Sequence, residues 1–370
     1  MGSKQDNLYE RLCAEIRAGK FAGGGRFPSE FALARRFKVG RDVVHRVLSR
    51  LKDEGVILAR QGAGTFLRTK GGCRFGRIGL IIHGSDYCEM FSPVARKISH
   101  LAQAAGVSLL FGDVSGTNTR RRVVEVIRLA REFISTGVDG VIFQPVELMR
   151  RARDINRDIV GLFDKAGVPL VLLDSDIVPS PERSGYDLVS VNHFDAGRRL
   201  AAHLREAGAK RVAYLMQPNR APCVLERHLG VKTGCEGLAL AGKELLAEPD
   251  DAMRIRRFLA RERPDAIACY NDRQAVVLMK TLAALGVGVP DDILVAGFDD
   301  VNFARLATPL LTTAHQPCDE LAELAFGMLQ ERIRDPGRSV RETFLNAPLV
   351  VRDSTRRSKL RKVQKGEVKS

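Results

Sequence analysis

The chain is 370 residues long, too long for one ordinary core, so two or three domains are expected. An apolar fraction of 45% with 28% charged residues fits a water-soluble globular protein, and no run approaches the ~18 consecutive apolar residues of a membrane span. The net charge of +15 is concentrated at the two ends: residues 1–76 carry +9, residues 352–370 carry +6, and residues 77–351 balance to zero. A basic head on a neutral body is the footprint of a protein that holds a polyanion at one end. No signal-peptide core is present in residues 1–20, so the cytoplasm is the expected compartment. Seven cysteines, none spaced Cys-x-x-Cys, are expected to be reduced and mostly buried. No metal and no cofactor is expected from the dispersed cysteines and histidines.

In chain order, Leu8, Leu12 and Ile16 recur every four residues and predict a first helix. Ser29 is an N-cap candidate for a second, with Glu30 in its first turn and Leu33, Ala34 and Phe37 facing inward. A third helix, about 41–54, buries Val44, Val47, Leu48 and Leu51. It turns Asp42, His45, Arg46 and Ser49 outward, with Arg41 at its exposed start. Then come a strand at 56–59, a turn through Gln61-Gly62-Ala63-Gly64 and a return strand at 65–67. Three helices followed by a glycine-tipped hairpin make a winged helix. Its third helix is placed to meet base edges, with Arg41 able to fork onto guanine.

Pro28-Ser29-Glu30, Leu33-Ala34, Gly40-Arg41, Val44, Leu48, Leu51, Glu54-Gly55 and Gln61-Gly62-x-Gly64-Thr65-Phe66 together resemble the GntR-type DNA-binding domain along its whole length. The resemblance implies DNA contacts from Arg41 and His45 on the recognition helix and from Gln61 and Gly62 in the wing. With the neighbouring polar positions, the candidate DNA-contacting set is Ser29, Arg35, Arg41, Asp42, His45, Arg46, Gln61 and Gly62. Phe31 and His45 stand where many such domains carry arginine.

Residues 68–76 read as a short Gly-rich basic linker. Beyond it, apolar runs at 78–82, 108–111, 140–143, 169–173, 189–191, 212–215, 266–270 and 293–296 alternate with helical patterns. That order predicts an α/β body with parallel sheets covered on both faces, whose ligands sit beyond the carboxyl ends of the strands. Polar residues cluster there: His83 to Asp86, Asp113, Gln144, Asp174 to Asp176, Asn271-Asp272 and Asp299-Asp300. Singly each is better read as a helix cap, but together they offer the donors and acceptors that a polyol needs.

Gly137 to Ile142, Leu172 to Asp174, Val191-Asn192 with Ala196-Gly197, Arg227-x-x-Gly230, Cys269 to Asp272, Val295 to Asp300, Pro309 to Thr313, Gln316-Pro317 and Leu349 to Ser354 resemble the LacI/GalR effector domain, itself similar to periplasmic sugar-binding proteins. The likeness spans about 77–353 and implies two subdomains around an effector cleft lined by Asp174, Arg227, Asn271, Asp299 and Gln316. Met90-Phe91 falls where an aromatic pair stacks on ligand, which favours Phe91. His83 and Asp86 complete the candidate set. Ser175 replaces an arginine common in sugar-responsive members, and Cys318 lies where an aromatic stacks.

A GntR-type head on a LacI-type body resembles the arabinose-repressor architecture. The implied protein is a homodimeric transcription regulator, in the repressor mould, that binds operator DNA and responds to a sugar-like effector. A transport-type binding protein shares the body but not the basic head. An enzyme is disfavoured, since no Gly-x-Ser-x-Gly elbow, phosphate loop or His-Glu-x-x-His motif occurs. Residues 354–370 are expected to form a disordered basic tail.

Overall fold

The four-residue apolar spacing at the N-terminus becomes a small helical core closed by a hairpin. The computed structural model describes residues 4–17, 21, 26–53, 56–60, 64–67, 76–83, 89–114, 119–147, 151–180, 182–216 and 221–357. In the head, α1 (Lys4–Arg17), α2 (Glu30–Phe37) and α3 (Arg41–Asp53) precede the antiparallel pair β1 (Ile57–Arg60) and β2 (Gly64–Leu67). Leu8, Leu12, Phe27, Leu33, Val44, Val47, Leu51 and Ile57 form its core. Ser29 caps α2 by accepting from the Ala32 amide at 3.3 Å. The wing gains a contact that sequence patterning did not reveal: Arg26 bridges to Phe66, and the Phe27 amide donates to the Thr65 carbonyl at 2.7 Å.

The body continues with β3 (Arg77–His83), α4 (Phe91–Ala105), β4 (Ser108–Val114), α5 (Thr119–Thr136), β5 (Gly140–Phe143), α6 (Ala152–Lys165), β6 (Leu170–Leu173) and β7 (Asp187–Val191). These strands, with one later strand, form a wholly parallel sheet. The chain then builds a second lobe from α7 (His193–Glu206), β8 (Arg211–Met216), α8 (Pro222–Gly234), β9 (Leu240–Leu246), α9 (Ala252–Glu262), β10 (Ala266–Cys269), α10 (Asp272–Ala284), β11 (Leu294–Asp299), α11 (Asn302–Leu306) and β12 (Thr312–His315). It returns to the first lobe as α12 (Cys318–Arg334) and β13 (Glu342–Leu345), and to the second as β14 (Leu349–Val350). Strand order is β13-β7-β6-β5-β3-β4 in the first sheet and β14-β12-β11-β10-β8-β9 in the second; only β14 runs antiparallel. The eight predicted apolar runs are all strands, whereas β9, β12, β13 and β14 were not foreseen.

Three crossovers therefore join the lobes, at Asn192, at Gln316-Pro317 and at 346–348. They lie alongside one another through backbone bonds: Asn192 donates to Leu345 at 2.8 Å, His315 to Pro348 at 2.8 Å and Gln316 to Asp299 at 3.2 Å. The packed chain also runs further than the expected end of the body. Ser354 and Thr355 are buried, and Ser354 Oγ donates to the Val295 carbonyl and accepts from the Thr312 amide. Their hydroxyls satisfy buried polar groups of β11, β12 and His203, so residues 354–357 belong to the packed body and not to the tail expected from 354. Residues 358–370 and most of the linker lie outside the described residues.

Helices α7 and α8 approach more closely than any side chain would permit. A Cβ on Gly197 would lie 2.2 Å from the Arg227 carbonyl oxygen, and one on Gly230 would lie 2.0 Å from that of Phe194. We expect Gly230→Ala to destabilise the protein by about 1–3 kcal/mol, because two helix backbones must separate. Gly161→Ala, at an α6 position with open space around it, should be neutral or stabilising by about 0.5–1 kcal/mol. Denaturant midpoints of the two variants check both signs.

Candidate functional site

The inner positions of α8 carry Arg227 to the carboxyl ends of both sheets, where parallel α/β folds bind ligands. Its guanidinium lies 3.7 Å over the Phe298 ring, and its Nη1 donates to the Tyr270 carbonyl at 2.7 Å. Nε donates to His193 Nδ1 at 3.1 Å, and Asp299 Oδ1 lies 3.7 Å from Nη1. Asp174, just past β6, approaches His193 Nε2 at 3.6 Å, and its carbonyl accepts from Ser190 Oγ at 2.5 Å. Gln316 Nε2 donates to Asp299 Oδ1 at 2.7 Å and meets Met90 Sδ at 3.0 Å. Gln316 Oε1 is buried without a hydrogen-bond partner among the described residues. Asp174 (φ 73°) and Asp299 (φ 116°) both adopt left-handed backbone that non-glycine residues rarely hold, one on each lobe.

Thus four residues expected at the site, Asp174, Arg227, Asp299 and Gln316, converge with His193, which the sequence reading missed. His193 sits at the first crossover beside Asn192, inside the quoted motif, so its position was visible even though its role was not. Asn271 is the N-cap of α10: its Oδ1 accepts from the Gln274 amide at 3.0 Å. Phe91, at the start of α4, is buried in the first lobe's apolar core, and Met90 takes the place against Gln316. Asp86 and the side chain of His83 lie outside the described residues, as do Gln61 and Gly62 of the wing.

In the head, Arg41, Asp42, His45 and Arg46 are all exposed on α3. Arg46 pairs with Asp42 at 3.0 Å, and His45 Nδ1 with Glu30 Oε1 at 2.8 Å. Arg35 is exposed at the end of α2, and Phe31 on the same helix is 68% exposed. An open groove between α3 and the wing is lined by Arg26, Ser29, Glu30, His45, Ser49, Lys52 and Thr65.

The interlobe electrostatics are set by burial. Glu147, beyond β5, accepts from Ser175 Oγ at 2.7 Å, and burial together with the Asp174 charge pushes its carboxyl up to about 8. Burial raises Asp299 to about 6, against the opposing pull of Arg227 and the Gln316 hydrogen bond. His193 is pushed down by burial and by Arg227. Because Arg227 donates to Nδ1, the ring hydrogen is on Nε2. Asp174, His193 and Cys223 each bring a potential ligand atom within 4.8 Å of the others, but an Nε2–H offers a metal no lone pair. The trio is arranged as a hydrogen-bonding surface. It borders a cavity of about 20 Å³, room for one or two waters.

The raised Glu147 carboxyl makes the folded state bind the extra proton between pH about 4.5 and about 8. That contribution to stability is therefore present at low pH and lost as pH rises through this window. Glu147→Gln should gain stability relative to the unsubstituted protein from about pH 6 to about pH 8. The slope of the difference cannot exceed about 1.4 kcal/mol per pH unit, the limit for one proton. Urea midpoints of the two proteins across that range read it directly.

Comparison with known proteins agrees with both halves of this description. A model of bacterial regulatory proteins of the gntR family matches residues 4–67, and a periplasmic binding protein-like domain matches residues 201–355. The chain is 27% identical to the arabinose metabolism transcriptional repressor of Geobacillus stearothermophilus, over 94% of this chain and 96% of that one. It is 31% identical to the HTH-type transcriptional repressor PurR of Mannheimia succiniciproducens, over 76% of this chain and 81% of the relative. A solved complex of the transcriptional regulator CelR with cellobiose shares the fold at a TM-score of 0.65 and 20% identity, covering 89% of this chain and all of the other. Among the described residues no helix is long and apolar enough to cross a membrane. With a GntR-type DNA-binding head on a periplasmic-binding-protein-like effector body, the chain belongs to the family of LacI- and PurR-type transcriptional regulators.

Proposed function

We propose that this protein is a cytoplasmic homodimeric repressor of carbohydrate-utilisation genes, released from or fixed to its operator by a sugar or sugar derivative bound between the lobes. The observation that carries the reading is the convergence of Asp174, His193, Arg227, Asp299 and Gln316 where the lobe-joining crossovers meet. A ligand hydrogen-bonded there touches both lobes at once, so its binding energy differs between lobe angles. Only such differential affinity shifts a conformational equilibrium; a switch from 1:99 to 99:1 needs about 5.5 kcal/mol. Carboxylates, a guanidinium and an amide carbonyl suit vicinal hydroxyls, which both donate and accept. The cellobiose bound by the structural relative and the arabinose metabolism in the other relative's name favour carbohydrate over other polar ligands. Asn271 takes part through its side-chain NH2 group, since its oxygen caps α10.

In this reading residues 1–67 are the DNA-binding unit, 68–76 a linker, and the body beyond 77 both senses and dimerises. The head contacts DNA through Ser29, Arg35, Arg41, Asp42, His45 and Arg46, with Gln61 and Gly62 at the wing tip. Dimerisation presents two recognition helices to half-sites one helical turn, about 10 bp, or a multiple apart. The chemistry is binding without turnover, as the family's regulators imply.

Thermal unfolding of the full-length protein against monosaccharides, disaccharides, sugar acids and purines tests the effector class. A true effector at 100 times its Kd should stabilise by ~2.7 kcal/mol, a rise of roughly 5 °C. Arg227→Lys, which retains charge but loses the planar fork, should cut that rise to less than half. A response to purines alone would replace the carbohydrate reading, and silence across the panel would remove it. Gel shifts on an operator selected from random duplexes test the other half: affinity should fall steeply with salt and change with the effector.

A further inference from the structure

We infer that His45 reads one base pair of each operator half-site, and that Glu30 sets the sense of that readout by holding Nδ1 as the donor, leaving Nε2 alone to face the DNA. The inference rests on the reading of α3 as the recognition helix and goes beyond it. His45 lies one turn after Arg41, on the face of α3 opposite the buried Val44, Val47, Leu48 and Leu51. Its side chain is 68% exposed, and Glu30 Oε1 approaches its Nδ1 at 2.8 Å.

An ionised carboxylate only accepts hydrogen bonds, so Nδ1 carries a hydrogen whether the ring is neutral or charged. All change on protonation therefore falls on Nε2. The charged groups around the ring are Glu30, whose other oxygen lies 4.0 Å from Arg41, together with Arg26 and Lys52 along the same groove. On its own helix Asp42 is held by Arg46 at 3.0 Å. These pairings leave the imidazole as the side chain of this turn whose hydrogen-bonding sense depends on its charge.

In the major groove only cytosine N4 and adenine N6 donate, whereas guanine N7 and O6, adenine N7 and thymine O4 accept. Neutral His45 thus selects cytosine or adenine through an accepting Nε2. Protonated His45 donates from the same atom and favours guanine, which offers two adjacent acceptors where adenine and thymine offer one each and cytosine none. Arg41, a donor at every pH, does not change its choice. One operator position is therefore read in a pH-dependent sense while its neighbour is not.

The test is selection of random-core DNA duplexes by the full-length protein at about pH 8 and about pH 5.5, with sequencing of the bound pools. At the higher pH one position per half-site should favour adenine or cytosine over guanine about tenfold, and at the lower pH that preference should reverse. His45→Ala should flatten this position at both pH values. His45→Lys, a donor throughout, should favour guanine at both. Glu30→Ala should cut the preference at the higher pH to about threefold or less, because either ring nitrogen then carries the hydrogen. The exposure of His45 makes its variants safe for folding, which circular dichroism verifies. A position that keeps one base at both pH values, or that survives His45→Ala, overturns the inference while leaving the recognition helix in place. Failure of the unsubstituted protein to enrich any sequence would bring down the recognition-helix reading as well.

Discussion

The guanidinium of Arg227 is the point on which the interlobe architecture turns. It is buried, stacked on Phe298, and spends hydrogen bonds on His193 and on the Tyr270 carbonyl. A buried cation is tolerated only when paired and hydrogen-bonded, and here Asp174 and Asp299 supply the counter-charge. Phe298 belongs to a strand of the second lobe, yet its ring packs in the first lobe's apolar cluster with Met90, Phe91 and Ala196. The stack therefore ties a charge carried by α8 to the core of the opposite lobe. Asp174 and Asp299 adopt costly backbone conformations at the matching ends of their strands, and the network around Arg227 holds them there.

The depth of Arg227 is in turn set by glycine. Gly197 and Gly230 let α7 and α8 touch backbone to backbone, which lowers α8 onto the strand ends and brings Arg227 within reach of His193. α7 begins at the first crossover, where the His193 ring lies 5.7 Å from that of Phe298, and the Gln316 crossover holds the next residue, Asp299. The groups around Arg227 thus lie where the two lobes join. On the proposed reading, a ligand at these atoms acts on the lobe angle directly, with no relay required.

The head follows a similar logic at its surface. Leu33, Val44, Val47 and Leu51 fix the angle between α2 and α3, and that angle delivers Glu30 to His45 and near Arg41. The outward face of α3 is organised into acid–base pairs. The partner that orients the His45 ring on α3 thus comes from the neighbouring helix.

Much of this was legible in the residues. The 3.6-residue apolar period located α1, α2 and α3, and Ser29 marked the start of α2, because these are local properties of the chain. Apolar runs such as Gly140–Phe143 and Leu170–Leu173 announced a parallel sheet, since strands buried on both faces tolerate no polar alternation. The less apolar β9 and the edge strands β13 and β14 gave no such signal, as one face or edge meets solvent. Motif likeness brought Asp174, Arg227, Asp299 and Gln316 forward but also Phe91, which the apolar face of α4 draws into the core. By itself the sequence determined the class of each domain, the location of the basic head and the main polar residues at the strand ends. Only the tertiary structure decided that Asn271 caps a helix, that His193 and Glu147 join the site, and that Glu30 holds His45. Those assignments depend on distances between residues far apart in the chain, and hydrophobic periodicity carries no information about distance.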